Sequence, residues 1–260
     1  MPRLKKITFR LIGAASVAAV TSALILWSTG TANAIAHGTP VPDGQYSFST
    51  KLTMTGIPNP DGTTRDSACS AALVAPQWIM TAGHCFHDVH GKPVSGPTPY
   101  ATTATVGRTD LSSESGHVVS VVEVLQAPRG DVALGRLAIP ITDVVPLPLA
   151  AAAPKAGDIL RVTGWGATTS VNPVPVTHLM TGQVRVNRVT GTAVMVVGYA
   201  PAPDTSACLW DSGAPYFSES VNGSVALVSV ESDGPACPHS DDETTARVDR
   251  IADWVNQTTA

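Results

Sequence analysis

Three short segments carry side chains that could act together. Thr81-Ala82-Gly83-His84-Cys85 closes an apolar run on an imidazole, and Asp131-Val132-Ala133-Leu134-Gly135-Arg136-Leu137 opens one on a carboxylate. Cys208-Leu209-Trp210-Asp211-Ser212-Gly213-Ala214-Pro215 sets a serine between an acid and a glycine. Each alone has an ordinary structural reading: a histidine beside a cysteine, an aspartate capping a strand, a serine in a tight turn. In the order His, Asp, Ser they supply the parts of an acyl-transfer site. A serine hydroxyl is a weak nucleophile at neutral pH and needs a base beside it. Imidazole ionises near neutrality and can take and return the proton. A carboxylate fixes the imidazole tautomer and stabilises its charged form.

Residues so far apart in the chain need a scaffold to meet. Short β-like runs recur at Cys69 to Val74, Trp78 to Ala82, His117 to Leu125, Val132 to Leu137, Arg161 to Trp165, Ala193 to Val197 and Val225 to Val230. Turn residues punctuate them, and the chain holds 22 Gly and 21 Pro, a pattern that points to an all-β barrel or sandwich. Ile139 to Asp158 is rich in Pro and Ala and reads as a connector between two halves. Ile251, Trp254 and Val255 share a helical face, predicting a short terminal helix packed on the second half. No internal repeat is visible.

The amino end is organised differently. Arg3, Lys5, Lys6 and Arg10 precede an apolar run from Leu11 to Trp27, and Ala32-Asn33-Ala34 has the small-x-small form of a signal-peptidase site. Residues 1–34 are therefore expected to be a signal peptide; Ala34-Ile35-Ala36 offers a second cleavage site. Removing those four cations from 16 basic against 20 acidic residues leaves a net charge of −8. So acidic a surface argues against nucleic-acid binding, which needs a basic face. The four cysteines, Cys69, Cys85, Cys208 and Cys237, form an even set in an exported chain and read as two disulfides, with three connectivities open.

From Ile35 onward the sequence resembles the trypsin/chymotrypsin family of serine endopeptidases, in its bacterial secreted branch. The three segments are similar to the family's Thr-Ala-(Ala/Gly)-His-Cys, Asp-Ile-Ala-Leu-x-Arg-Leu and Gly-Asp-Ser-Gly-Gly-Pro, and Thr163-Gly164-Trp165-Gly166 to its Gly-Trp-Gly turn. The resemblance implies two antiparallel six-stranded β-barrels of the chymotrypsin type with a short C-terminal helix. The protease domain would span 35–259, with a first barrel at about 35–140, a second at about 155–247 and the helix at about 248–258. It implies the triad His84, Asp131 and Ser212, an oxyanion hole from the N–H groups of Trp210 and Ser212, and disulfides Cys69–Cys85 and Cys208–Cys237. It also implies an activating ion pair between a new amino terminus at Ile35 and Asp211, formed by signal removal itself. Ser229 would help hold Asp131, and Ser206, Ser229, Glu231 and Glu243 would form the specificity pocket. The expected product is a secreted monomer acting on proteins or peptides, without cofactor, metal, nucleic acid or lasting membrane association.

The sequence departs from the family at Trp210, where the family has Gly. If the loop needs a positive φ there, a Trp costs on the order of 1 kcal/mol or more. Ala214 for Gly is a smaller change. Ser206 favours an undemanding pocket, whereas Glu231 and Glu243 could attract Lys or Arg or obstruct the site. Two rivals remain. His84, His87 and His90, with Asp88 between, could converge on a metal if helical, but Gly91 and Pro93 end any helix. A weak or inactive homologue serving as a binding protein would also account for Trp210. An α/β-hydrolase is excluded by the order of the residues and by Trp210 in place of the first glycine of its motif.

Overall fold

The computed structural model describes residues 1–2 and 34–260. The basic and apolar part of the expected signal peptide, residues 3–33, lies outside the described residues. Among the described residues no helix is long and apolar enough to cross a membrane.

Twelve strands form two closed rings. The first contains β1 (Ser49–Pro58), β2 (Thr64–Ala75), β3 (Trp78–Thr81), β4 (Ala101–Val106), β5 (His117–Gln126) and β6 (Ala133–Leu137). The second contains β7 (Ile159–Gly164), β8 (Met180–Val189), β9 (Ala193–Ala200), β10 (Pro215–Glu219), β11 (Val225–Asp233) and β12 (Glu243–Arg247). All pairings are antiparallel. Around the first ring the order is β1-β2-β3-β6-β5-β4, and around the second β7-β8-β9-β12-β11-β10. The two rings thus share one strand order, a duplication that the sequence does not display. Two-residue strands at Thr39–Pro40 and Gly96–Pro97 add to β8 and β5 outside the rings. These barrels, with one short helix α1 (Ala252–Thr259), are the fold class that the resemblance implies.

Side-chain alternation explains the closure. In β5, Val119 and Val121 face the core while Val118 and Val122 face water. A register shift between Val121 and Glu123 then brings Val124 back inside. Leu52, Leu73, Ile79, Leu134 and Leu137 complete that interior, each fully buried and worth about 1.5–3 kcal/mol relative to exposure. The second barrel fills around Trp165, Leu160, Val162, Val184 and Val196. Ile251, Trp254 and Val255 of the terminal segment join a hydrophobic cluster that holds the first-barrel core together with Phe217, Leu227, Val230 and Ala246 of the second.

Candidate active site

His84 sits in a single 3-10 turn, Gly83–Cys85, directly after β3. The turn is held from three sides. Disulfide Cys69–Cys85 ties it to β2, Gln126 Nε2 donates to Gly83 O at 2.9 Å, and Tyr100 OH donates to Cys85 O. Gly83 is required because a Cβ there would run into Gln126 Oε1 and come within 3.0 Å of Asp131 Oδ1. Asp131, just ahead of β6, takes the His84 amide at 2.8 Å on Oδ1. Its Oδ2 meets His84 Nδ1 at 2.7 Å and accepts the Ser232 hydroxyl at 2.7 Å. Burial opposes the Asp131 charge, but these hydrogen bonds outweigh it and hold the carboxyl below the ordinary aspartate range.

The donor from the second barrel is Ser232, not Ser229 as expected. Ser229 is fully buried and its Oγ accepts from Thr245 Oγ1 at 2.7 Å. The cause is a bulge in β11. Glu231 pairs with Thr245 and Asp233 with Thr244, so Ser232 is the extra, unpaired residue and is turned into the cleft.

Ser212 lies in the turn between Cys208 and Ala214, closed by Asp211 N–H to Cys208 O (3.0 Å) and Ala214 N–H to Asp211 O (2.7 Å). Ser212 O accepts from Ser70 N at 2.8 Å, linking the turn to β2 of the first barrel. Gly213, at φ +81°, leaves no room for a Cβ against Thr81 and Ser70. Trp210 adopts φ 73°, the positive value anticipated as costly. For an L-residue with a bulky side chain that conformation costs about 1–2 kcal/mol. His84, Trp210 and Ser212 all line a cavity of about 660 Å³, and they also line a second of about 220 Å³. His84 has 43% of its side chain exposed, so its ring is open to whatever fills the cleft.

Asp211 is fully buried between the glycines of the Thr163-Gly164-Trp165-Gly166 turn. A Cβ at either glycine would overlap its carboxyl group, which explains why that motif carries Gly on both sides of Trp165. The carboxyl accepts Gly166 N–H at 2.8 Å and Cys208 N–H at 3.1 Å. Burial pushes it up to about 7, against the charge of Lys51 and these two donors. The Ile35–Asp211 ion pair is an expectation for a chain that begins at Ile35; in a chain continuous through Ala34 the Ile35 nitrogen is an amide without charge. Ile35 is nevertheless buried in the second-barrel core, and Ala36 N–H donates to Ser206 O at 2.8 Å.

The larger cavity is walled by the Cys208–Cys237 disulfide and lined by Glu231 and Glu243, but not by Ser206 or Ser229. Ser206, expected on the pocket wall, is instead clamped to Ala36 and accepts His239 N–H on its Oγ at 3.3 Å. Glu243 accepts from Ala207 N–H and Tyr216 OH, each at 2.6 Å, and His239 Nε2 stands 3.4 Å from Glu243 Oε1 without hydrogen-bond geometry. Glu231 Oε2 is buried with no partner. Burial, then the nearby Glu243, raise the Glu231 carboxyl well above its ordinary range.

The helix required by the metal reading does not form around His84, His87 and His90. A 3-10 turn gives way to extended chain at Phe86, and His87 Nδ1 and the His90 amide both engage Asp88. Among the described residues no group of three or more His, Cys, Asp or Glu side chains could hold a metal ion. Sequence reasoning missed Lys51, Gln126 and Ser232. Gln126 ends a Val- and Leu-rich run, a signal that was available, whereas Lys51 stands among Ser49, Thr50 and Thr53 and gives none.

Residues 35–255 match the family model described as Trypsin. A rat protein, Transmembrane protease serine 9, is 29% identical over 215 residues, covering 74% of this chain and 19% of its own length. Thrombin-like enzyme gyroxin B1.7 from Crotalus durissus terrificus is 29% identical over 125 residues, 42% of each chain. The chain thus spans less than half the length of either relative.

Proposed function

Since the chain belongs to the trypsin family, we propose that it is a serine endopeptidase, secreted after loss of residues 1–34 and working through His84, Asp131 and Ser212 in a domain spanning 35–259. The observation that carries this is the His84 Nδ1–Asp131 Oδ2 bond with Ser212 on the same cleft. Ser212 Oγ attacks the peptide carbonyl while His84 Nε2 takes its proton. The Trp210 and Ser212 N–H groups stabilise the oxyanion. His84 passes the proton to the departing amine, and water, deprotonated by His84, hydrolyses the acyl-enzyme. Asp131 keeps the His84 ring oriented and balances its transient charge.

The secretory placement, in the bacterial branch, rests on the leader and the small cysteine set. The two disulfides fit an oxidising compartment. Glu231, Asp233 and Glu243 line the larger cavity, which favours a cationic side chain before the scissile bond once the Glu231 carboxyl ionises. Cleavage after Ala34 would turn the Ile35 amide into an ammonium, which could then pair with Asp211 and activate the enzyme.

The test is labelling of the secreted protein by a fluorophosphonate probe. Labelling lost in Ser212→Ala supports the proposal. Correctly processed protein that is never labelled refutes it and favours the binding-protein reading, for which the strained Trp210 is the specific motive.

A further inference from the structure

Lys51 is an unusual residue for a barrel interior. It lies in β1 with only 6% of its surface exposed, and among the described residues it is in direct ion-pair contact with no carboxylate. Its Nζ donates to Trp165 O at 3.2 Å. The next atoms along the chain belong to the same peptide unit: Gly166 N–H donates to Asp211 Oδ1 at 2.8 Å. One peptide group therefore joins the cation of the first barrel to the carboxylate of the second, with its oxygen toward Lys51 and its hydrogen toward Asp211. A peptide polarised by a cation at its oxygen is a stronger donor at its nitrogen.

We propose that Lys51 is the built-in counter-ion of Asp211, acting through the Trp165–Gly166 peptide to keep the carboxylate charged and the 208–214 turn in place. Its role is positioning; it touches no reacting atom. The turn it steadies holds Trp210 at φ 73°, a conformation that must be enforced by its surroundings. Asp211 provides that enforcement by accepting Cys208 N–H as well as Gly166 N–H. The other charged groups that act on Asp211 work against it. Glu243 of β12 raises its carboxyl, and Glu231 of β11 interacts with it in the same unfavourable sense. Lys51 is the cation that opposes them. Burial lowers the lysine to about 8, with Asp211 opposing that shift, so each group favours the charge of the other. Lys51 is present before any cleavage, so the arrangement serves the chain continuous through Ala34.

The test compares wild type, Lys51→Met, Asp211→Asn and the double variant, all continuous through Ala34, by thermal melting from pH 4 to 9. Asp211, raised in the folded state, makes wild-type stability fall as pH rises from the ordinary aspartate value of 3.8, and the fall levels off at its folded value of about 7. Below about pH 8, where Lys51 is charged, removing that charge should carry the upper end of the fall roughly one pH unit higher. Asp211→Asn should remove both Asp211's share of the fall and the effect of Lys51→Met, leaving the share of Glu231. Lys51→Gln, a neutral donor, must shift the fall in the same direction, because charge is the cause. A fall that stays in place, or one that moves equally without Asp211, overturns the proposal. The catalytic half rests on the endopeptidase reading and is measured separately, as the acid limb of fluorophosphonate labelling. That limb should move up with the stability transition. A limb that stays while the transition moves refutes the role in the turn. No labelling at any pH in processed protein refutes the endopeptidase reading and leaves the melting result to decide the Lys51–Asp211 coupling.

Discussion

Ser232→Ala and Ser229→Ala should differ in activity, although both remove one hydroxyl from the same strand. Asp131 Oδ2 meets the His84 ring and the Ser232 hydroxyl, each at 2.7 Å. A hydrogen bond to a charged group contributes about 1.5–3 kcal/mol. The Asp131 side chain is 28% exposed, so water replaces part of what is lost and the net cost falls to about 1 kcal/mol. That corresponds to a fall in kcat/KM of at most about fivefold, with Tm lower by about 2–4 °C. Ser229 is buried away from the cleft, and its loss removes one partner of Thr245 Oγ1, which keeps Val194 O as an acceptor at 2.9 Å. The expected result is about 0.5–1.5 kcal/mol of lost stability, at roughly 2–4 °C per kcal/mol, with kcat/KM within twofold of wild type. Hydrolysis of a chromogenic peptide by processed protein, paired with thermal melts, measures both. If Ser229→Ala lowered kcat/KM while Ser232→Ala did not, the bulge in β11 would not be what aims the donor at Asp131.

Three further outcomes follow from the same geometry. Gly166→Ala would set a Cβ 2.6 Å from Leu209 O and onto the Asp211 carboxyl; overpacking of this kind costs about 1–3 kcal/mol, and calorimetry should show Tm lower by several degrees. Trp210→Gly relieves about 1–2 kcal/mol of backbone strain but gives up about 0.5–1 kcal/mol to the greater freedom of the unfolded chain. Stability should therefore change by less than about 1 kcal/mol while fluorophosphonate labelling accelerates, and slower labelling would contradict the assigned strain. For Lys or Arg substrates, KM should fall as pH rises, because Glu231 is held protonated by its raised pKa and must ionise to pair with a cation. A pH-independent KM for cationic peptides, measured beside a neutral analogue, would remove Glu231 from the pocket's selectivity.

What could be read from the sequence depended on how each residue does its work. His84, Asp131 and Ser212 stand in short motifs whose neighbours build the local turn, so their segments announce themselves. The cysteines left three pairings open, and the resemblance singled out the two that form. Strands rich in Val and Leu were visible, but β1, β4, β8, β10 and β12 were not among the apolar runs, and the first two show why. The first opens with Ser49, Thr50 and Lys51, all buried, and the second reads Ala-Thr-Thr-Ala-Thr-Val. Threonine has high β propensity without hydrophobicity, so neither strand shows as an apolar run. Ser232 was missed for a different reason. Counting by two along β11 identifies an interior face correctly at Ser229 and Glu231, but an inserted bulge residue breaks that count, and only the partner strand reveals it.

The same argument explains why the glycines of Thr163-Gly164-Trp165-Gly166 resemble a turn motif yet act as a receptacle. Their missing Cβ atoms are filled by a carboxyl group from a residue 45 positions away, and the peptide between Trp165 and Gly166 receives Lys51 from 114 positions in the other direction. No local pattern can encode that meeting, since each partner is ordinary in its own segment. It arises because β1 of one ring and the loop after β7 of the other are brought together where the barrels join. Ser49 Oγ and Thr163 Oγ1, 2.8 Å apart and both buried, make a second such junction. Polar groups buried there need partners from the opposite barrel, or they lose about 1–3 kcal/mol each to desolvation. The seam therefore selects one docking of the two rings, and that docking sets His84 and Asp131 of one barrel beside Ser212 and Ser232 of the other.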